Sequence, residues 1–202
     1  LRTRVLELLA SPKKVTARTR ADENPHKLVD AFLARIGEVV VLDPACGSGN
    51  FLYVALQCMK DFERQVIDWG AKTLKTSRPF PRVRPHQLRG IEVNVYAAEL
   101  ARVTIWIGEI QWMLANGFAY DDKPILKPLN NIECRDAVLD FTNPAALREP
   151  AWPKADVIVG NPPFLGGKLL RSVLGDAYVE ALFETYDGRV PAEADLVTYW
   201  FE

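Results

Sequence analysis

The sequence predicts an α/β fold, with a central, mostly parallel sheet and helices on both faces. Two observations carry that reading. Short apolar runs such as Val39-Val40-Val41-Leu42 and Val157-Ile158-Val159-Gly160 have the continuous hydrophobicity of strands buried on both faces. Between such runs lie longer segments whose apolar residues recur every three to four positions, the period of an amphipathic helix.

Asn24-Pro25 opens the first helix, a capping side chain followed by proline at the first helical position. Leu28, Phe32 and Ile36 share one face, and Gly37 supplies the stop. The strand Val39 to Leu42 follows, then a tight turn, Asp43 to Gly49. A long helix comes next, with Phe51, Ala55, Cys58, Phe62 and Val66 as its expected core face. From Gly70 to Gly90 the chain carries six Lys or Arg, three prolines and no acid. That composition reads as a solvated connector. The sharper alternative is a strip touching nucleic-acid phosphates. Leu88 to Glu92 is the second strand, followed by a helix through Tyr96, Leu100, Val103, Ile107 and Ile110, whose aromatics Tyr96, Trp106 and Trp112 are expected in the core. Asp121 to Pro128 is a loop. Asn131 to Cys134 and Asp156 to Gly160 are the third and fourth strands, and Asp195 to Glu202 is helical in pattern. Both ends look cut, since the chain starts at Leu1 and stops inside that last run. The division expected is a helical lead-in over 1–24 (Val5, Leu6, Leu8, Leu9) and one partial domain over 25–202.

Composition narrows the function classes. A chain of 202 residues, 49% hydrophobic and 25% charged, suits a single globular domain. A net charge of −1 gives no global attraction to nucleic acid or anionic membrane. No apolar stretch reaches the roughly 20 residues that span a bilayer. Three cysteines without a CxxC pair argue against disulfide or zinc scaffolding, so a cytoplasmic location is expected. His26 and His86 are not placed for a metal or a histidine-based triad.

In an open α/β sheet, ligands bind beyond the carboxyl ends of the strands. After the first strand comes Asp43-Pro44-Ala45-Cys46-Gly47-Ser48-Gly49-Asn50. Glu92 follows the second, Arg135-Asp136 the third, and Asn161-Pro162-Pro163-Phe164 the fourth. Three carboxylates against one arginine disfavour a phosphate-rich ligand, and no GK[ST] follows the glycines, which excludes a P-loop. A nicotinamide fingerprint fits badly too. Leu52 stands where Gly or Ala is needed, and Glu92 lies 43 residues past Gly49, against about 20 in dinucleotide binders. A cofactor with positive charge and a free ribose diol suits the mouth better, and S-adenosylmethionine is such a molecule. Asp43 would favour its ammonium through charge or a bridging water, Glu92 would accept from the ribose hydroxyls, and Asp136 would accept from the adenine amine. Asn161-Pro162-Pro163-Phe164 is the most specific element. Two prolines fix two φ angles and remove two donors, which leaves the Asn161 amide and Pro162 carbonyl as rigid acceptors beside an aromatic face.

With these residues in place, the chain resembles the amino-methylating DNA methyltransferases. The likeness is to the gamma-type N6-adenine group, and in particular to the methyltransferase core of single-chain type II (IIG/IIL-like) restriction-modification enzymes. Asp43 to Leu52 matches the family's first motif, Gly90-Ile91-Glu92 the second, Arg135-Asp136-Ala137 the third and Asn161 to Phe164 the catalytic fourth. Asp195-Leu196 with Phe201 is similar to the start of the fifth. The methionine-pocket motif expected upstream of the first strand is not evident, and Lys14-Val15-Thr16 is a poor substitute. The resemblance implies the Rossmann-like fold of class I S-adenosylmethionine-dependent methyltransferases, of which this chain would hold the N-terminal half of the sheet. It implies cofactor contacts from Asp43, Pro44, Ala45, Cys46, Gly47, Gly49, Glu92, Val93, Asp136 and Ala137, with Cys46 as a packing residue rather than a nucleophile. It further implies methyl transfer to the N6 amine of an adenine flipped from double-stranded DNA, with Asn161, Pro162, Pro163 and Phe164 catalytic. A target-recognition domain would lie elsewhere in the full-length chain. The competing readings are an N4-cytosine methyltransferase, a glutamine-methylating protein methyltransferase, a nicotinamide oxidoreductase and a non-catalytic DNA-binding module of a larger complex.

Overall fold

The computed structural model describes residues 24–118, 129–143 and 147–202. The helical lead-in, Lys14-Val15-Thr16 and the loop Asp121 to Pro128 lie outside the described residues. Four strands, β1 (Val41–Asp43), β2 (Leu88–Glu92), β3 (Ile132–Cys134) and β4 (Val157–Ile158), form one all-parallel sheet in the order β3-β2-β1-β4. Chain order therefore reverses direction between β1 and β4. That reversal creates the switch point at which α/β sheets bind ligands.

Helix α1 (Pro25–Ile36) starts as its sequence dictates, with the Asn24 side chain accepting from the His26 N–H at 2.9 Å. Its core face is Val29, Leu33 and Ile36, with Leu28 and Phe32 packed at the margin. Helix α2 (Asn50–Leu74) departs from expectation. Leu52, Leu56, Lys60, Glu63, Val66 and Ile67 face inward, whereas Phe51 and Phe62 are about half exposed at 50% and 49%. The inward period is helical, but two of its members are charged, so a reading by apolarity alone chose a neighbouring face. Lys60 and Glu63 are tolerated because they are partnered. The Lys60 ammonium lies 2.7 Å from Glu109 Oε2, an ion contact rather than an aligned hydrogen bond, and donates to the Val83 carbonyl at 3.2 Å. The Glu63 carboxylate accepts the backbone N–H groups of Arg82 and Val83.

Helix α3 (Val95–Ala115) turns its other face from the one expected. Ala98, Ala101, Ile105, Trp112 and Met113 are buried, while Tyr96, Leu100, Val103 and Ile107 are exposed, Tyr96 at 87%. This helix is apolar on both sides, and the small residues Ala98, Ala101 and Gly108 are what permit close approach to the sheet and α2. The tyrosine therefore sits outside the core, whereas Trp112 is buried as expected.

One face of the sheet (Val41, Leu88, Ile132) packs against α2 and α3. On the other, Leu42, Ile91 and Ala137 are covered by Trp152 and Trp200. A second cluster gathers Val138, Leu139 and Leu170 with Val179 and Leu182. It is built on α4 (Leu170–Leu174), α5 (Asp176–Thr185) and a terminal 3-10 turn, Leu196–Trp200. That turn stands where a longer helix was expected. Strand β4 is also a correction. Val157 and Ile158 are 45% and 59% exposed, because β4 lies at the sheet edge with β1 as its strand partner among the described residues. The basic stretch before β2 enters the sheet at its amino end, opposite the strand termini that carry the site. It is pinned to helix α2 by Glu63 and by Arg78 to Asp68 (3.3 Å), and within itself by Arg84 over the Phe80 ring.

Candidate active site

The turn after β1 is organised by its own backbone and by β2. Cys46 N–H continues the β1–β2 hydrogen bonding to the Ile91 carbonyl (3.1 Å), and Gly49 N–H bonds the Cys46 carbonyl at 2.8 Å. Gly47 and Gly49 have φ of 52° and 84°, a region glycine enters without steric cost. Gly49 is also the point of closest approach to α3, since a Cβ there would stand 3.0 Å from the Ala101 Cα.

Glu92 closes this turn from β2. Its Oε2 accepts from Gly47 N–H at 2.9 Å and its Oε1 from Asn94 N–H at 2.7 Å. Each oxygen keeps one acceptor position.

Asp43 behaves differently from the sequence expectation of an ammonium partner. It is 1% exposed and does not line the cavity described below. Its Oδ1 accepts from Ala45 N–H at 3.0 Å, while its Oδ2 is buried without a hydrogen-bond partner. Burial raises its pKa to about 6, opposed by the Ala45 N–H and reinforced by the charge of Glu92. Oδ1 also lies 2.7 Å from where a Cβ of Gly160 would be. The carboxyl group thus joins the first turn to the loop after β4, beneath the site. Cys46 is buried as expected, and burial, then the Asp43 and Glu92 charges, push its thiol up to about 12. Such a thiol is no nucleophile at neutral pH.

Beyond the strand ends opens a cavity of about 380 Å³, within the roughly 300–1,000 Å³ of small-molecule sites. Pro44 and Ala45 from the first turn, Glu92 and Val93 after β2, Asp136 and Ala137 after β3, and Asn161 and Pro163 after β4 all line it. Residues 118 positions apart in sequence, Ala45 and Pro163, thereby share one wall. Of the other sequence candidates, Cys46, Gly47 and Gly49 shape the turn without lining the cavity, and Pro162, half-buried in the loop after β4, does not line it either. Phe164 is 71% exposed and presents its ring to solvent. The arginine on the wall, Arg135, is engaged with Glu133 (2.6 Å) and the Ala151 carbonyl (2.9 Å), so the lining favours hydrogen-bond donors and cations over phosphate.

The loop after β4 is clamped downstream. Asp195 Oδ1 accepts from Leu165 N–H at 2.9 Å and from Val197 N–H at 3.1 Å, and Leu196 N–H returns to the Leu165 carbonyl. Trp200 donates its indole N–H to the Pro44 carbonyl at 3.2 Å and lines the cavity. Sequence reading missed three wall residues, Leu174, Tyr178 and Trp200. Helical spacing through Val179 and Leu182 could have located α5. No local pattern marks Tyr178 for the site, because its partner, Asp136, is 42 residues away.

The family model for the MmeI DNA-methyltransferase domain matches residues 18–202. "DNA methyltransferase A" of Bacillus subtilis (strain 168) is 30% identical over 180 residues, covering 86% of this chain and 20% of that protein. A solved structure of the type IIL restriction-modification enzyme MmeI in complex with DNA superposes with a TM-score of 0.64 at 20% identity, over 98% of this chain and 25% of that one. The chain spans about a fifth to a quarter of the length of these relatives.

Proposed function

The chain belongs to the MmeI DNA-methyltransferase domain family, and from that premise we propose that it is the methyl-transferring core of a DNA methyltransferase in a restriction-modification enzyme. The reading taken furthest is transfer to the exocyclic N6 amine of adenine. One observation carries it: Asn161 and Pro163 share a cavity wall with Pro44, Glu92 and Asp136. An amine-gripping loop and a seat for a cationic, hydroxyl-bearing cofactor are thereby side by side.

The wall fits S-adenosylmethionine. Glu92 and Asp136 offer acceptors, no free guanidinium among the described residues faces the cavity to repel a cation, and the volume is that of a small-molecule site. Glu92 would hold the ribose hydroxyls and Asp136 the adenine amine, while Pro44, Ala45, Val93 and Ala137 give apolar walls. Asp43 supports the turn from below without lining the seat, so any effect on the ammonium would act through charge or a bridging water. When bound, the cofactor supplies an electrophilic methyl group.

The remaining work falls to the loop after β4. The Asn161 side-chain oxygen and the Pro162 carbonyl would accept the two hydrogens of the target amine and leave the nitrogen lone pair free to form the N–C bond as the bond between the methyl carbon and the cofactor's sulfur breaks, after which one of the amine hydrogens would leave as a proton to solvent. The prolines fix the backbone that carries both acceptors before substrate arrives, which limits the reorganisation needed during reaction. The exposed Phe164 ring is available to a base extruded from a duplex, a move that costs a few kcal/mol. Analysis of nucleosides by mass spectrometry, after the intact protein has acted on DNA with S-adenosylmethionine, tests the reading. N6-methyladenine is the expected product. N4-methylcytosine would redirect the assignment to the alternative amine, and methylglutamine in protein without modified DNA would overturn it.

A further inference from the structure

Asp136 is held by three donors. Its Oδ1 accepts from Val138 N–H (2.8 Å) and Leu139 N–H (3.1 Å), and its Oδ2 accepts from the Tyr178 hydroxyl at 2.6 Å. A carboxylate has about four acceptor positions. Oδ1 is filled by the two backbone groups, and the tyrosine takes one position on Oδ2. A single position remains, on a carboxylate that lines the cavity. Tyr178 lines it as well, arriving from α5, and its ring is braced edge-on by Phe141 at 6.1 Å. Burial, and then the Asp136 charge, raise the pKa of Tyr178, so its hydroxyl stays protonated as a donor.

We propose that Tyr178 is a specificity-determining residue: by fixing Asp136 with one free acceptor position, it selects a 6-aminopurine over a 6-oxopurine in the cavity. An amine donates into that position. A 6-oxo group presents a second acceptor there, and two facing acceptors repel while the position on Oδ2 goes without a donor. Without the hydroxyl, Oδ2 regains a free position that water can occupy, and the carboxylate loses the donor that sets its direction.

This inference rests on the reading of the cavity as a cofactor seat, and the test separates the two. Binding of S-adenosylhomocysteine and of its 6-oxo analogue, S-inosylhomocysteine, is measured by calorimetry on the intact protein. Wild type is expected to prefer the amino compound by tenfold or more. Tyr178→Phe should weaken the amino compound about tenfold and change the 6-oxo compound less than threefold. In an Asp136→Asn background, the same change should have less than a twofold effect on either. Equal weakening of both ligands by Tyr178→Phe, or of neither, overturns the assignment. If wild type binds neither ligand, the cavity reading itself fails. Should Tyr178→Phe not fold, 3-fluorotyrosine at position 178, a stronger donor of nearly the same shape, should raise the amino-to-oxo ratio, and an unchanged ratio refutes the role.

Discussion

Replacing Asp43 by asparagine should change how stability depends on pH, with a magnitude the geometry supplies. The carboxyl is 1% exposed, with one oxygen bonded to Ala45 N–H and the other unpaired. Burial raises its pKa from 3.8 to about 6. In the folded state the group therefore holds its proton across a window in which the unfolded chain has released it. Stability from this residue is fully present below about pH 4 and is lost as pH rises through 6. The shift is about two units, and at 1.36 kcal/mol per unit it corresponds to about 3 kcal/mol in full. The replacement side chain has the same shape and does not titrate. The stability difference between wild type and Asp43→Asn should thus swing by about 2.4 kcal/mol from pH 4 to pH 7, less than the full value because the unfolded carboxyl is already partly ionised at pH 4, with wild type relatively stronger in acid. Urea denaturation midpoints for both proteins at four pH values across that range measure it. A difference that stays constant to within 0.5 kcal/mol, an allowance of roughly the usual error of such mutational differences, would refute the claim that Asp43 is a desolvated, half-satisfied acid.

Two further outcomes concern the scaffold. Lys60→Met, which strands Glu109 with Arg84 at 3.3 Å as its remaining cation, should cost about 3 kcal/mol. In a chain of this size that lowers Tm by roughly 6–12 °C; a fall below about 2 °C would mean the pair is not structurally important. Gly49→Ala meets both a φ of 84° and the Ala101 backbone at 3.0 Å, whereas Gly47→Ala at 52° has open space around it. The first should destabilise by about 2 kcal/mol or more and the second by about 1 kcal/mol, and equal losses would show that the α3 contact does not matter.

Much of the site was legible because it is made of short motifs at strand ends, and topology brings such ends together whatever the rest of the chain does. Strand β2 was readable residue for residue, as was the Asn24-Pro25 cap, whereas β1 runs over Val41–Asp43 instead of Val39 to Leu42 and its turn begins at Pro44. Helix faces were less so. The core face of α2 includes Lys60 and Glu63, and α3 carries apolar residues on both of its sides, so periodicity in either helix does not say which side meets the sheet. The apolar run at β4 reads the same for an edge as for a centre strand. Asp43 looked like a ligand because an acid after a strand ordinarily faces the mouth; only its contact with Gly160 and its burial reveal that it lies underneath. Tyr178 and Trp200 act through partners far away in sequence, Asp136 and Pro44, and no local pattern announces them.

The most direct test of the role proposed for the loop after β4 is Asn161→Ala in the intact protein, with methyl groups incorporated into DNA counted by mass spectrometry and S-adenosylmethionine affinity measured by calorimetry on the same preparation. The expected result is loss of at least a hundredfold in methylation rate, the scale seen when a preorganised polar group is removed, with cofactor affinity changed by less than about threefold, under 1 kcal/mol. Methylation that continues at the wild-type rate would contradict the account.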